Sequence, residues 1–202
     1  MMTFETRDPT NQAFWDERFD RNFTPWDKGG VPAALQDFVA QVAQVSPNAV
    51  VLIPGCGSAY EVAYLSEAGC DVTAIDFSPA AVTAARALLG QWATRVEQAD
   101  FFTFAPPKPL DIIYERAFLC ALPPRMHAAI AARWAALLPP GGLLAGFFYF
   151  DDAPKGPPFG IAAAQLDVLL KPNFERIDDK DVVDSIAAFA GRERWQVWRR
   201  LA

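Results

Sequence analysis

Residues 49–76 read AVVLIPGCGSAYEVAYLSEAGCDVTAID, and the order of residue types in this stretch decides the fold. Val50, Val51, Leu52 and Ile53 form an unbroken aliphatic run, the pattern of a central parallel strand covered on both faces. Pro54 ends the run. Gly55 and Gly57 permit a tight turn and a close approach of backbone to a ligand, and Ser58 stands where it would cap a helix over residues 59–67. Gly69 suits the left-handed residue just past that helix. A second strand over 71–75 delivers Asp76 to the carboxyl edge of the sheet, about 20 residues beyond the glycines, where an acid can accept hydrogen bonds from both ribose hydroxyls. Strand, glycine turn, helix, strand and acid predict a nucleoside-binding βαβ unit.

The departures from related glycine turns narrow the ligand. The nicotinamide and flavin pattern G-x-G-x-x-G runs here as Gly55-Cys56-Gly57-Ser58-Ala59-Tyr60, with tyrosine where a third glycine would let helix and strand pack closely. A pyrophosphate cradle is disfavoured. No Lys-Ser or Lys-Thr pair follows the glycines, so the phosphate-binding pattern G-x-x-x-x-G-K-[ST] is absent too. What remains is a site for a nucleoside without phosphates. S-adenosylmethionine is such a ligand, and PGCG followed by an acid after the next strand resembles the first two motifs of class I methyltransferases.

Length and charge set further bounds. A chain of 202 residues can bury one sizeable α/β core, so a single domain spanning 1–202 is expected. The formal net charge is -6, with Lys and Arg scattered, which argues against a nucleic-acid partner and for a small-molecule substrate. The first residues, MMTFETRDPTNQ, lack an apolar segment of signal-peptide type, and the longest apolar runs are strand-length. No membrane partner and a cytoplasmic location are expected. Cys56, Cys70 and Cys120 are widely spaced with no CxxC, so neither a disulfide scaffold nor a metal site is predicted.

Taken in order, residues 11–21 predict an amphipathic helix carrying Phe14, Trp15 and Phe19, and residues 24–30, TPWDKGG, a loop able to fold over a cofactor. A second helix is expected over 32–45, so that residues 1–46 form an amino-terminal helical cap and 47–202 the core. A sulfonium cation would favour aromatic faces in such a cap. After Asp76, Ser78-Pro79 predicts a helix to about residue 89, and 96–98 a third strand leading to Asp100-Phe101, an acid and an aromatic suited to adenine. The fourth strand is expected over 110–114 and the fifth over 143–150, with a helix from Pro123-Pro124 to 138 between them. His127, the only histidine, is expected on a solvated face of that helix. Residues 151–160 predict a loop over a substrate pocket, 162–170 a helix, and 174–181 and 195–201 the last two strands. The fold class is therefore α/β: a seven-stranded, mostly parallel sheet with one antiparallel strand and helices on both faces.

With PGCG, Asp76, Phe14-Trp15-x3-Phe19 and Thr24-Pro25-Trp26-Asp27-x-Gly29 in hand, the chain resembles the thiopurine S-methyltransferase superfamily, including its thiol and halide methyltransferase branch, from about residue 14 to 201. The resemblance implies a class I methyltransferase Rossmann-like fold with S-adenosylmethionine as cofactor. It further implies that Trp15, Phe19 and Trp26 line the cofactor, Gly55 approaches its methionine portion, Gly57 belongs to the same cofactor-binding turn, Asp76 holds the ribose, and Asp100 and Phe101 hold the adenine. Phe19 stands where the family usually has tryptophan. Arg116 matches a thiopurine-side residue and would be the catalytic one, orienting an anionic acceptor. The motif that amino-directed DNA methyltransferases carry after the fourth strand is replaced here by Glu115-Arg116-Ala117-Phe118. The implied reaction is transfer of methyl to a small thiol by a monomer. Halides, or selenium or tellurium oxyanions, are the alternative acceptors, and a non-catalytic S-adenosylmethionine-binding protein or a nicotinamide-dependent oxidoreductase are the readings from other classes.

Overall fold

Seven strands, β1 (Val50–Pro54), β2 (Asp71–Asp76), β3 (Val96–Gln98), β4 (Ile112–Arg116), β5 (Leu143–Tyr149), β6 (Phe174–Asp181) and β7 (Glu193–Arg200), form one sheet ordered β3-β2-β1-β4-β5-β7-β6. The protein was analysed as a computed structural model, which describes residues 3–42, 48–153 and 155–202. Strand β7 runs antiparallel to both of its neighbours, and the remaining pairings are parallel. The sequence predicts this sheet closely, with β4 and β7 each displaced by about two residues.

Side-chain alternation explains how the sheet is covered. Val51 and Ile53 of β1 point to one face and Leu52 to the other, each into a separate apolar core. The first face is covered by α2 (Ala33–Val42), α3 (Tyr60–Glu67) and α4 (Pro79–Leu89), through Leu35, Val39, Val62, Leu65, Val82 and Leu89. The second is covered by α5 (His127–Leu137) and α6 (Ala163–Leu170), through Ile130, Trp134, Leu166 and Leu170. The chain moves from β1 toward β3 on one side and resumes at β4 on the other. The crevice between the carboxyl ends of β1 and β4 is thus a topological switch point, where open α/β sheets bind ligands.

Helix α2 packs on the sheet as part of the core, so the amino-terminal cap consists of α1 (Gln12–Asp20) and the loop that follows it. The expected end of α2 at residue 45 and the expected boundary at 46/47 lie outside the described residues. Helix α3 ends as expected: Gly69 has φ of 91°, Gly69 N–H donates to the Ser66 carbonyl and Cys70 N–H to the Leu65 carbonyl, each at 3.0 Å.

Two expectations are corrected. Ser58 does not cap α3: Ala59 precedes the helix with φ of 55° and no side-chain cap, while the Ser58 hydroxyl donates to Asp27 Oδ2 at 2.5 Å. Ala59, in the left-handed region, takes the cap position, so Ser58 lies one residue outside the helix and its hydroxyl is left to the cap loop. His127 is 4% exposed instead of solvated, with Nε2 3.1 Å from the Leu122 carbonyl oxygen. A 3₁₀ turn at Pro124–Met126 leads into α5, and burial of the ring lowers its basicity.

Candidate active site

At the switch point lies a cavity of about 610 Å³, within the size range of sites for small ligands. All nine predicted site residues, Trp15, Phe19, Trp26, Gly55, Gly57, Asp76, Asp100, Phe101 and Arg116, line it. Residues distant in sequence therefore meet at one place, but their surroundings differ.

The glycine turn is fixed by its backbone. Gly55 has φ of 58°, and a Cβ there would lie 2.5 Å from Phe118 Cδ2, so both conformation and packing exclude a larger residue. Phe118 is itself held by the buried Glu115 carboxylate, whose Oε1 accepts the N–H groups of Phe118 and Leu119 at 2.9 and 3.2 Å. Burial pushes Glu115 up to about 7 although those two hydrogen bonds favour its charged form.

Asp76 is 7% exposed at the end of β2. Its Oδ2 accepts Gly57 N–H at 3.1 Å and its Oδ1 accepts Ser78 N–H at 2.9 Å. Burial raises its pKa to about 6, against the pull of these N–H groups and with a further push from the nearby Asp16 carboxylate. One acceptor position on each oxygen remains after the backbone contacts, the arrangement needed to accept a vicinal diol. Asp100 is exposed and its Oδ1 accepts Phe102 N–H at 2.9 Å. Phe101 is 4% exposed and edge-on to Phe102 and Phe118, with centroids 5.5 and 5.0 Å away. The half-buried Phe102, which the sequence reading did not single out, also lines the cavity.

The cap closes the cavity through aromatic and acidic groups. Trp15 donates its indole N–H to the Pro9 carbonyl at 2.7 Å and meets Trp26 edge-on at 5.4 Å, and Phe19 stands 6.2 Å from Trp26. Two carboxylates tie this cap to the core. Asp16 Oδ1 accepts the Ser78 hydroxyl at 2.5 Å and Ala80 N–H at 3.3 Å, placing negative charge at the amino terminus of α4. Asp27 accepts the hydroxyls of Ser58 and Tyr60 at 2.5 and 3.4 Å and Gly29 N–H at 2.7 Å. Tyr60, in the place of a third glycine, thus reaches the cap loop. Lys28 extends the anchorage by pairing with Asp184 at 2.9 Å.

Arg116 reaches the cavity with a 13% exposed side chain. Its NH1 donates to Glu193 Oε2 at 3.0 Å, the Ser185 hydroxyl donates to the other Glu193 oxygen at 2.6 Å, and the guanidinium lies 4.2 Å over the Phe147 ring. The ion-pair partner is Glu193, across the sheet, and not the adjacent Glu115. Cys56 and Cys120 also line the cavity; burial raises both thiol pKa values, with Asp76 and Glu115, respectively, adding to the effect. Among the described residues no cluster of His, Cys, Asp and Glu could hold a metal ion, and no helix is long and apolar enough to cross a membrane.

The fold and the sequence both have counterparts among known proteins. The structure is similar to that of a Burkholderia thailandensis 1,6-didemethyltoxoflavin-N1-methyltransferase with bound S-adenosylhomocysteine, with a TM-score of 0.73, 20% identity, and coverage of 100% of this chain and 94% of that one. In sequence, the thiocyanate methyltransferase 1 of Brassica oleracea is 29% identical over 194 residues, covering 93% of this chain and 84% of that protein. A thiopurine S-methyltransferase from Pseudomonas putida strain GB-1 is 31% identical over 168 residues, covering 74% of this chain and 77% of that protein. The family model for thiopurine S-methyltransferase matches residues 10–201. With nearly every residue matched, from the cap to the last strand, the chain belongs to the thiopurine S-methyltransferase family.

Proposed function

We propose that this protein transfers the methyl group of S-adenosylmethionine to the sulfur of a small thiol. The observation that carries the proposal is the convergence of the glycine turn, Asp76, Asp100 and the aromatic cap on one cavity, in a chain of this family. The residues present fit the cofactor. A buried carboxylate with free acceptor positions faces the cavity, and three of the four basic residues that line it, Arg18, Lys28 and Arg116, each donate to a protein acceptor, the fourth being the exposed Arg7. In this reading Asp76 accepts the ribose hydroxyls, Asp100 and the Phe101–Phe102 pair flank the adenine, and Gly55 and Gly57 border the methionine portion.

Bound there, the cofactor supplies an electrophilic methyl group on a sulfonium. The chain's own groups contribute alignment and exclusion of water. Trp15, Phe19 and Trp26 cover the cation with aromatic faces, which attract it without competing as nucleophiles. Arg116, fixed by Glu193, presents its remaining N–H groups to the acceptor and favours the thiolate over the thiol. A soft sulfur anion needs no strong base, which accords with the sealed position of His127. Burial keeps Cys56 and Cys120 as neutral thiols, so the protein's own sulfurs do not compete with the acceptor for methyl. The reaction is assigned to a monomer in the cytoplasm, a reducing compartment suited to three free cysteines, with no nucleic-acid partner for a chain of net charge -6.

The test is a mass-spectrometric screen with methyl-labelled S-adenosylmethionine against aryl and alkyl thiols, thiopurines, hydrosulfide, thiocyanate, iodide, and selenium and tellurium oxyanions. Label should appear on at least one small thiol. Transfer confined to halide or oxyanion acceptors would replace the thiol assignment, and calorimetry detecting no S-adenosylhomocysteine binding would remove the cofactor assignment.

The cap carries its own prediction. If residues 14–30 close over the cofactor, adding S-adenosylhomocysteine should slow amide hydrogen exchange across that segment more than across the sheet. Equal protection with and without ligand would mean that the Asp16 and Asp27 contacts hold the cap shut permanently.

A further inference from the structure

Glu61 is the second residue of α3, is 8% exposed and is among the residues that line the cavity. Its contacts set it apart from the other lining carboxylates. Asp76 holds two backbone N–H groups, Asp27 holds two hydroxyls and an N–H, and Asp100 is exposed. Among the described residues Glu61 forms no ion pair, and the only other residue to hydrogen-bond its carboxylate is Tyr114, whose hydroxyl lies 3.4 Å away and is itself buried. The nearest opposite charge, Arg116, is committed to Glu193. A carboxyl group taken out of water in this way is costly unless a cation or strong donors reach it. Burial accordingly raises its pKa, and Asp27 adds a smaller repulsive push.

The position of Glu61 defines which donor it awaits. Asp76 and Asp100 follow β2 and β3, on one side of β1, whereas Glu61 lies against Tyr114 of β4, on the other side of β1. A nucleoside held at the first side directs its 5′ substituent across the glycine turn toward the second. We infer that Glu61, with the Tyr114 hydroxyl beside it, receives the α-ammonium group of the cofactor's amino-acid arm. An ammonium offers three N–H donors together with its charge, whereas a sulfonium offers charge alone, so the hydrogen-bonding pair matches the ammonium. The inference rests on the S-adenosylmethionine reading and adds a selection rule to it: the site distinguishes adenosyl ligands by the presence of an α-amino group.

The experiment is calorimetric titration of the intact protein and of Glu61→Gln with three probes: S-adenosylhomocysteine, its analogue with the α-amino group replaced by hydrogen, and 5′-methylthioadenosine, which lacks the arm. The wild type should prefer S-adenosylhomocysteine over the deaminated analogue by about 10- to 150-fold, the range for a hydrogen bond to a charged group. Glu61→Gln should lose most of that preference while binding 5′-methylthioadenosine as the wild type does. Equal wild-type affinity for the first two probes would overturn the assignment and needs no variant, so it decides the matter even if Glu61→Gln fails to fold. A parallel loss of affinity for all three probes in Glu61→Gln would overturn it in favour of a structural role. Failure of the wild type to bind any of the three would overturn the cofactor reading and this inference together, an outcome distinct from the other two.

Discussion

Asp76→Ala should weaken S-adenosylhomocysteine binding by about 1.5–3 kcal/mol, or roughly 10- to 150-fold, the range expected when a carboxylate loses its hydrogen bonds to a ligand. The substitution also removes the acceptors of Gly57 N–H and Ser78 N–H, two groups that shape the glycine turn and the start of α4. Leaving them unpaired in a buried place costs stability in its own right. Asp76→Asn is therefore the necessary companion, because its amide oxygen can still accept one N–H while its NH2 group faces the other with the wrong polarity. Dissociation constants are to be compared on preparations whose thermal unfolding proves them folded. An unchanged constant in either folded variant would refute the ribose assignment.

The same carboxyl group gives binding a pH dependence with a definite sign. Burial holds the Asp76 pKa up at about 6 in the free protein, and two ribose hydroxyls donating to it would favour the charged form and lower it. Cofactor affinity should then be level above about pH 6 and fall as pH drops through that value, with proton release on binding near the transition. Stability of the free protein runs the other way. A folded-state pKa raised above the ordinary 3.8 means that this group stabilises the fold most when protonated, and the contribution declines as pH rises through about 6. Asp76→Asn should flatten the binding profile over this interval, which separates Asp76 from the buried Glu115.

Which parts of this molecule can be read from sequence follows the range of the interactions involved. The βαβ unit is local: the run of Val50 to Ile53, the turn glycines, Gly69 and Asp76 obey backbone rules that act over a few residues, and their placement agrees with those rules. Ser58 departs from the same rules because the left-handed Ala59 takes the cap position and α3 begins one residue later than the sequence suggests. His127 has the sequence context of an ordinary helix start, and its burial beside the Leu122 carbonyl is a matter of packing that helix periodicity does not show. Glu61 left a readable signal that was missed: Leu65, four residues on, is a core residue, so Glu61 shares the buried face of α3. The Glu193 partner of Arg116 was not readable, since the two meet only because β7 inserts antiparallel beside β5. Nothing in local periodicity encodes that insertion partner by partner.

If Arg116 orients the acceptor, as proposed, that role must be separable from its ion pair with Glu193. On that proposal, in which the guanidinium faces the acceptor and not the nucleoside, Arg116→Ala should lower kcat/KM for the best thiol by roughly 10- to 150-fold while leaving S-adenosylhomocysteine affinity nearly unchanged. It also strands the buried Glu193 carboxylate, and breaking a buried ion pair costs about 3–5 kcal/mol of stability. Arg116→Lys avoids most of that loss: it retains a cation within reach of Glu193 and removes the planar fork and its stacking on Phe147. If the fork orients the acceptor, the Lys variant keeps an unfolding temperature near that of the wild type yet loses kcat/KM for thiols, with the Ala variant lower still. If Arg116 serves only to pair with Glu193, the Ala variant melts earlier while its folded fraction turns over thiol at the wild-type rate, and the Lys variant is unaffected in both respects. Glu193→Ala completes the comparison, since it removes the acceptor of the Arg116 guanidinium: under the orienting role kcat/KM of its folded fraction falls although Arg116 is intact, because the N–H groups are no longer held at a fixed place.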